Sequence, residues 1–155
     1  MKPIFRVAAA ALFVTAIVAV FGFTQGGTKS GSVVKVKARL ENVAPGKDVV
    51  VLSFDVQKTW HLYANPVDNE DLASSQTTVK IIGKTNPKAV KVDYPVGKPY
   101  VQMGEKLKVY EGQFEIRATV ERDADAKGPL EAVVQISACN KDSCLIPEKL
   151  RIQIP

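Results

Sequence analysis

From residue 33 onward, apolar and polar side chains alternate along this chain with a period of two. The alternation is strict in Val34-Lys35-Val36-Lys37-Ala38-Arg39-Leu40, which places one face of a strand in a core and the other in water. Pro45-Gly46 marks a turn. Residues 48–56 follow, with an unbroken apolar run at Val49-Val50-Val51-Leu52, the pattern of a central strand. Trp60 to Ala64 form a short aromatic strand, closed by Asn65-Pro66. Residues 66–76 are polar and acidic and read as a surface loop.

Two more strands are expected at 77–82 and 89–94. Residues 95–105 contain Gly97, Pro99 and Gly104 and read as a long irregular loop. Residues 106–110 and 113–122, joined by Glu111-Gly112, have the form of a hairpin with Phe114, Ile116, Ala118 and Val120 on one face. After a loop at 123–129, a strand over 130–138 runs into Cys139, and residues 150–154 make a last alternating strand. Eight or nine short strands, turn signals between them and no helical period predict an all-β fold, an immunoglobulin-like antiparallel β-sandwich spanning residues 33–155.

The first 26 residues break this pattern. Lys2 and Arg6 precede 17 uncharged residues, Val7 to Phe23, and then the chain turns small and polar. That is the form of a secretory signal peptide, with Gly22 or Gly26 as cleavage points. An uncleaved anchor through residues 7–23 is the alternative, since 17 residues is at the short limit for a span. Both place the body outside the cytosol, periplasmic or secreted. Residues 27–32, rich in Gly and Ser, read as a flexible linker.

Composition adds two exclusions. With 46% hydrophobic and 24% charged residues, the chain can bury a core and is not a disordered segment. The formal charge is +5, and beyond residue 26 the balance falls to +3 with the lysines scattered. No basic stripe with interleaved aromatics is present, so a nucleic-acid partner is not expected.

The two cysteines, Cys139 and Cys144, are the only ones in the chain. In an exported body they can form a disulfide. The four residues between them must turn back for that, and Asn140, Asp142 and Ser143 are turn formers. Two roles are open. A structural staple over so short a loop contributes only about 2 kcal/mol, in a stretch that a hairpin already ties. A cycling dithiol suits the short spacing and Lys141 alongside, which favours a thiolate. Parity puts Cys139 on the face opposite Ala132, Val134, Ile136 and Ala138. The soft ligands His61, Met103, Cys139 and Cys144 would suit a Cu(I) site; a single histidine and no ligand-pair spacing argue against it, and no metal is expected.

Residues 136–148, with the strand ending in Cys139 and the segment Cys144-Leu145-Ile146-Pro147-Glu148, resemble the redox loop of the N-terminal periplasmic domain of the DsbD thiol:disulfide interchange family. Trp60-His61-Leu62-Tyr63 resembles the aromatic strand beside that family's cysteines. Residues 106–112, with Tyr110, resemble the segment that follows its cap, and Met103 or a neighbour falls at the cap tip. The resemblance runs over residues 33–155. It implies an immunoglobulin-like sandwich, Cys139 and Cys144 as the catalytic pair, and His61, Tyr63, Met103 and Tyr110 as shields over it. It also implies no cofactor beyond the Cys139–Cys144 disulfide. Cys144 would form the mixed disulfide and Cys139 resolve it. The partners implied are thioredoxin-like periplasmic proteins and, for a stand-alone version, a separate membrane electron donor. The competing class is a non-catalytic binding module stapled by the same pair.

Overall fold

The computed structural model describes residues 27–123, 125–126 and 128–155. The signal or anchor expected over 1–26 lies outside them. Among the described residues, eleven strands form three antiparallel sheets. β1 (Val34–Ala44), β2 (Lys47–Val56), β8 (Gln113–Glu121) and β5 (Ala89–Asp93) make one, in the order β1-β2-β8-β5. β11 (Glu148–Ile154), β9 (Leu130–Ile136) and β4 (Thr78–Gly83) make the second. The third and smallest holds β10 (Ala138–Cys139), β3 (His61–Tyr63), β7 (Glu105–Tyr110) and β6 (Lys98–Gln102), in the order β10-β3-β7-β6.

The first sheet packs on the other two around one core, the β-sandwich that the alternation predicts. Val50, Leu52 and Phe54 from β2 meet Ile116 and Ala118 from β8, and Ala132, Val134 and Ile136 from β9. β9 alternates without exception, every second residue buried. The apolar run in β2 sits between β1 and β8, so it is central, as its sequence implies. At the start of β2, on the core-facing side shared with Val50 and Leu52, Asp48 is only 5% exposed and Arg122 Nε donates to its Oδ2 at 2.8 Å.

Four local readings need correction. Residues 95–105 are not irregular throughout, because β6 lies within them and pairs with β7. Pro99 conceals this strand in the sequence, yet proline is tolerated there because β6 is an edge strand with no second partner to donate to. Met103 (φ 51°) and Gly104 (φ 87°) turn β6 into β7 with two positive φ values, the requirement of a tight type I′ hairpin. Second, residues 106–122 are not a hairpin. β7 pairs with β3 and β6, whereas β8 pairs with β2 and β5, so Glu111-Gly112 is a corner between sheets. Gly112 takes φ 63° there and its carbonyl accepts from Val56 N–H at 2.9 Å. Third, the strand over 130–138 is interrupted at Ser137, and the last two residues before the loop join β3 in another sheet.

The fourth correction concerns residues 27–32. Composition makes them a linker, but Lys29 bridges to Ile146 and Ser30–Val33 form a 3-10 turn. Ser30 is fully buried: its Oγ donates to Ile146 O at 2.9 Å and accepts from Ala138 N–H at 3.0 Å. Gly31 N–H donates to Glu148 Oε2 at 3.0 Å, and a Cβ on Gly31 would stand 2.6 Å from that oxygen. The segment is therefore docked beside the cysteine loop, through hydroxyl and backbone groups that a hydropathy pattern does not register.

Candidate functional site

The cysteine loop is a miniature hairpin. Leu145 N–H donates to Ala138 O at 2.9 Å, and Asn140 N–H donates to Ser143 O at 2.8 Å. These two bonds flank Cys139 and Cys144, which makes them a facing, non-hydrogen-bonded antiparallel pair, the arrangement that brings Cβ atoms closest. Their Cα atoms are 4.0 Å apart and their sulfurs are joined in a disulfide. Asn140 closes the turn: its Oδ1 accepts from Asp142 N–H at 2.9 Å and Ser143 N–H at 2.8 Å. The turn formers expected from the sequence are thus used, with Asn140 as the organising one.

The two sulfurs live in different surroundings. Cys139 is 1% exposed, whereas Cys144 is exposed. The parity argument holds across the break at Ser137. Ala138 joins the main core, while Cys139 joins a second apolar cluster with Tyr63, Val67, Leu107 and Val109. That cluster covers the outer face of the small sheet, because along β3 and β7 alternate residues point away from the main core. Val67 and Leu72 cover it from residues 66–76, which were expected to be a polar surface loop and instead lay a 3-10 turn, Glu70–Ser75, over the sheet.

Of the residues expected around the cysteines, two are there. His61 faces Cys139 across the β10–β3 pairing, is 2% exposed, and packs its ring on Tyr100 at 4.5 Å. Its Nε2 has no hydrogen-bond partner among the described residues. Burial holds the His61 pKa below its usual value, opposed by the charge of Glu111 and by Gln102, so the ring is kept neutral. Tyr63 is 6% exposed, and its hydroxyl stands 3.3 Å from Cys139 Sγ and 3.9 Å from Cys144 Sγ. The same hydroxyl donates to Gln102 Oε1 at 3.3 Å. Burial, with Tyr100 adding to it, raises the Tyr63 pKa, so the phenol stays protonated and remains a donor.

The other two expected shields are elsewhere. Met103 is 98% exposed at the tip of the β6–β7 turn and covers nothing. Tyr110 points to the opposite side of the small sheet, into the main core, and its ring lies 4.6 Å from that of Phe114. Its hydroxyl accepts from Asn65 N–H at 3.0 Å and approaches the Asn65 and Pro95 carbonyls, so it fastens a loop rather than covering sulfur. Three residues were missed: Tyr100 and Gln102, because β6 was read as loop, and Ser30, because it stands in a Gly/Ser-rich stretch. The alternation Tyr100-Val101-Gln102 ahead of Met103-Gly104 was the available signal for the first two.

A groove of about 480 Å³ opens beside the pair, walled by Trp60, His61, Tyr100, Lys58, Lys98 and Lys141. A larger one, about 560 Å³, lies on the β1–β2–β8 face, and neither cysteine lines either groove. Among the described residues, no group of three or more His, Cys, Asp or Glu could hold a metal ion, and no helix is long and apolar enough to cross a membrane.

The family model of the N-terminal region of the thiol:disulfide interchange protein DsbD matches residues 31–154. Among solved structures, the N-terminal periplasmic domain of ScsB from Proteus mirabilis aligns with a TM-score of 0.55 at 15% identity, over 76% of this chain and 44% of that one. The fold is shared, and this chain spans less than half the length of that structure. The N-terminal domain of DsbD from Neisseria meningitidis, in the reduced form, aligns at 15% identity over 77% of this chain and 82% of that chain, with a TM-score of 0.45. No curated protein sequence matches the chain.

Proposed function

The chain belongs to the family of the DsbD N-terminal domain, and on that premise we propose that it is an exported thiol–disulfide exchange domain. It passes electrons between a membrane or periplasmic donor and thioredoxin-like proteins, through Cys139 and Cys144. The observation that carries this reading is the asymmetry of the disulfide: one sulfur buried among apolar side chains, the other open to a partner.

Exchange requires a thiolate to approach one sulfur in line with the S–S bond, and access decides which. Cys144 is the accessible one, so it forms the mixed disulfide. The incoming thiolate attacks Cys144 Sγ, the S–S bond breaks, and the electron pair leaves on Cys139 Sγ. In the other direction the Cys144 thiolate attacks a partner's disulfide, and Cys139 then attacks Cys144 Sγ and releases the reduced partner. His61, Tyr63 and Tyr100 surround the buried sulfur and limit access to it from small oxidants.

A mechanical role for the disulfide is poorly supported, since it joins two backbones that already share hydrogen bonds on either side. Placement outside the cytosol is supported by family membership, with residues 1–26 as the leader or anchor. Equilibration with dithiol redox buffers tests the reading. An exchange domain should give a potential above roughly −300 mV, whereas a value below it belongs to a structural bridge and would overturn the proposal.

A further inference from the structure

We propose that Tyr63 is a catalytic residue of the exchange, its hydroxyl donating a hydrogen bond to the Cys139 thiolate as that sulfur leaves, with Gln102 positioning it. This deepens the reading above and rests on attack at Cys144.

The leaving sulfur poses a problem of solvation. When a partner's thiolate attacks Cys144 Sγ, the S–S electron pair departs on Cys139 Sγ. That atom is held in a site 1% exposed, against Val67, Leu107 and Val109. A thiolate without a donor in such a place is strongly disfavoured, and a poor leaving group slows exchange. Among the described residues, the Tyr63 hydroxyl, at 3.3 Å, is the hydrogen-bond partner of Cys139 Sγ. The ionisable side chains gathered around the sulfur are Tyr63 and His61 from β3 and Tyr100 from β6, while β7 presents Leu107 and Val109. His61 is held neutral and Tyr63 protonated by burial, so of these three side chains Tyr63, already at hydrogen-bond distance, supplies the donor.

Gln102 completes the device. In the disulfide state neither sulfur carries a hydrogen, and the phenol donates to Gln102 Oε1. When Cys139 becomes a thiolate, the phenol hydrogen turns to it. The Gln102 amide can rotate and donate from Nε2 to the phenol oxygen, which strengthens the phenol as a donor. The phenol is also 3.9 Å from Cys144 Sγ, so a small movement follows the reaction from one sulfur to the other.

The test uses the full chain, oxidised, with dithiothreitol as the attacking thiol. A hydrogen bond to an ionised group shifts a pKa by about one to two units, and about half of that charge is developed at the transition state. Tyr63→Phe, which keeps the ring, should therefore reduce three- to tenfold more slowly, and Gln102→Ala about twofold more slowly. In a Cys144→Ser background, the pH profile of Cys139 alkylation should move upward by about one unit on Tyr63→Phe. A lost packing contact would lower the melting temperature without moving that profile. Rates within twofold of wild type in Tyr63→Phe, with an unmoved profile, would overturn the inference. A reduction potential typical of a structural bridge would instead sink the exchange reading and leave the Tyr63 result standing.

Discussion

Ser30→Ala removes one hydroxyl from the segment that the sequence presents as a linker. In the folded chain that hydroxyl has two bonds, one to Ile146 O and one from Ala138 N–H, and Ser30 and Ala138 are both fully buried. Ile146 O keeps its second partner, Ser30 N–H at 2.9 Å. Ala138 N–H keeps none and is left orphaned inside the core. A lost net hydrogen bond costs about 1 kcal/mol and a buried unsatisfied donor about 1–3 kcal/mol, so the substitution should cost about 2 kcal/mol in all. For a body of this size that is a fall in melting temperature of about 6–10 °C. Ala138 and Ile146 bracket the two cysteines, so the loosened stem should also raise amide hydrogen exchange at Cys139 and Leu145. Thermal and urea unfolding of the oxidised protein give the first quantity, and hydrogen exchange with mass spectrometry the second. A loss under about 0.5 kcal/mol, with unchanged exchange in the loop, would mean that residues 27–32 are an undocked linker after all.

Three further outcomes are expected. Replacing both cysteines, by Cys139→Ala and Cys144→Ser together, should cost no more than about 2 kcal/mol in urea unfolding; a loss above about 4 kcal/mol would make the bridge a staple that the fold depends on. Acid should weaken the protein through His61. Its folded pKa is lowered, so the unfolded chain binds the proton first as pH falls below 6.5, and stability present above that value is lost beneath it. The urea midpoint should drop between pH 7.5 and 5.5 by less in His61→Phe than in wild type, with at most about 1.4 kcal/mol per pH unit at stake; equal losses would refute the assignment. Met103→Ser should leave the rate of reduction by dithiothreitol within about twofold of wild type, because a side chain 98% exposed shields nothing. A large acceleration would restore Met103 as a cap.

The sequence is most informative where burial is periodic. β2, β8 and β9 are visible as alternation or as an apolar run, because their inward side chains pay the entropic cost of ordering the strand. It is least informative where backbone and hydroxyl groups carry the structure. β6 is hidden behind Gly97 and Pro99, which mark loops in most settings. Gly97 is required for close packing, since a Cβ there would stand 2.5 Å from Ala64 Cβ, and Pro99 is allowed by its edge position. With β6 read as loop, Tyr100 and Gln102 had no place beside the sulfurs. The family resemblance places Met103 and Tyr110 there, whereas the direction of each side chain decides the matter: Tyr110 is one residue out of phase with Val109 on β7. The cysteines themselves, their parity and the aromatic strand opposite them are legible from the residues alone.

The central claim is that Cys144 is the sulfur through which electrons enter and leave. Reduced Cys139→Ala and Cys144→Ala variants can each be mixed with a thioredoxin-like protein carrying a single activated cysteine, and the mixed disulfides counted on non-reducing gels and mapped by mass spectrometry. Cys139→Ala should form a stable adduct through Cys144, and Cys144→Ala should form little or none. Adducts at Cys139 in equal yield would contradict the assignment of roles, and no adduct with either variant would contradict the exchange function itself.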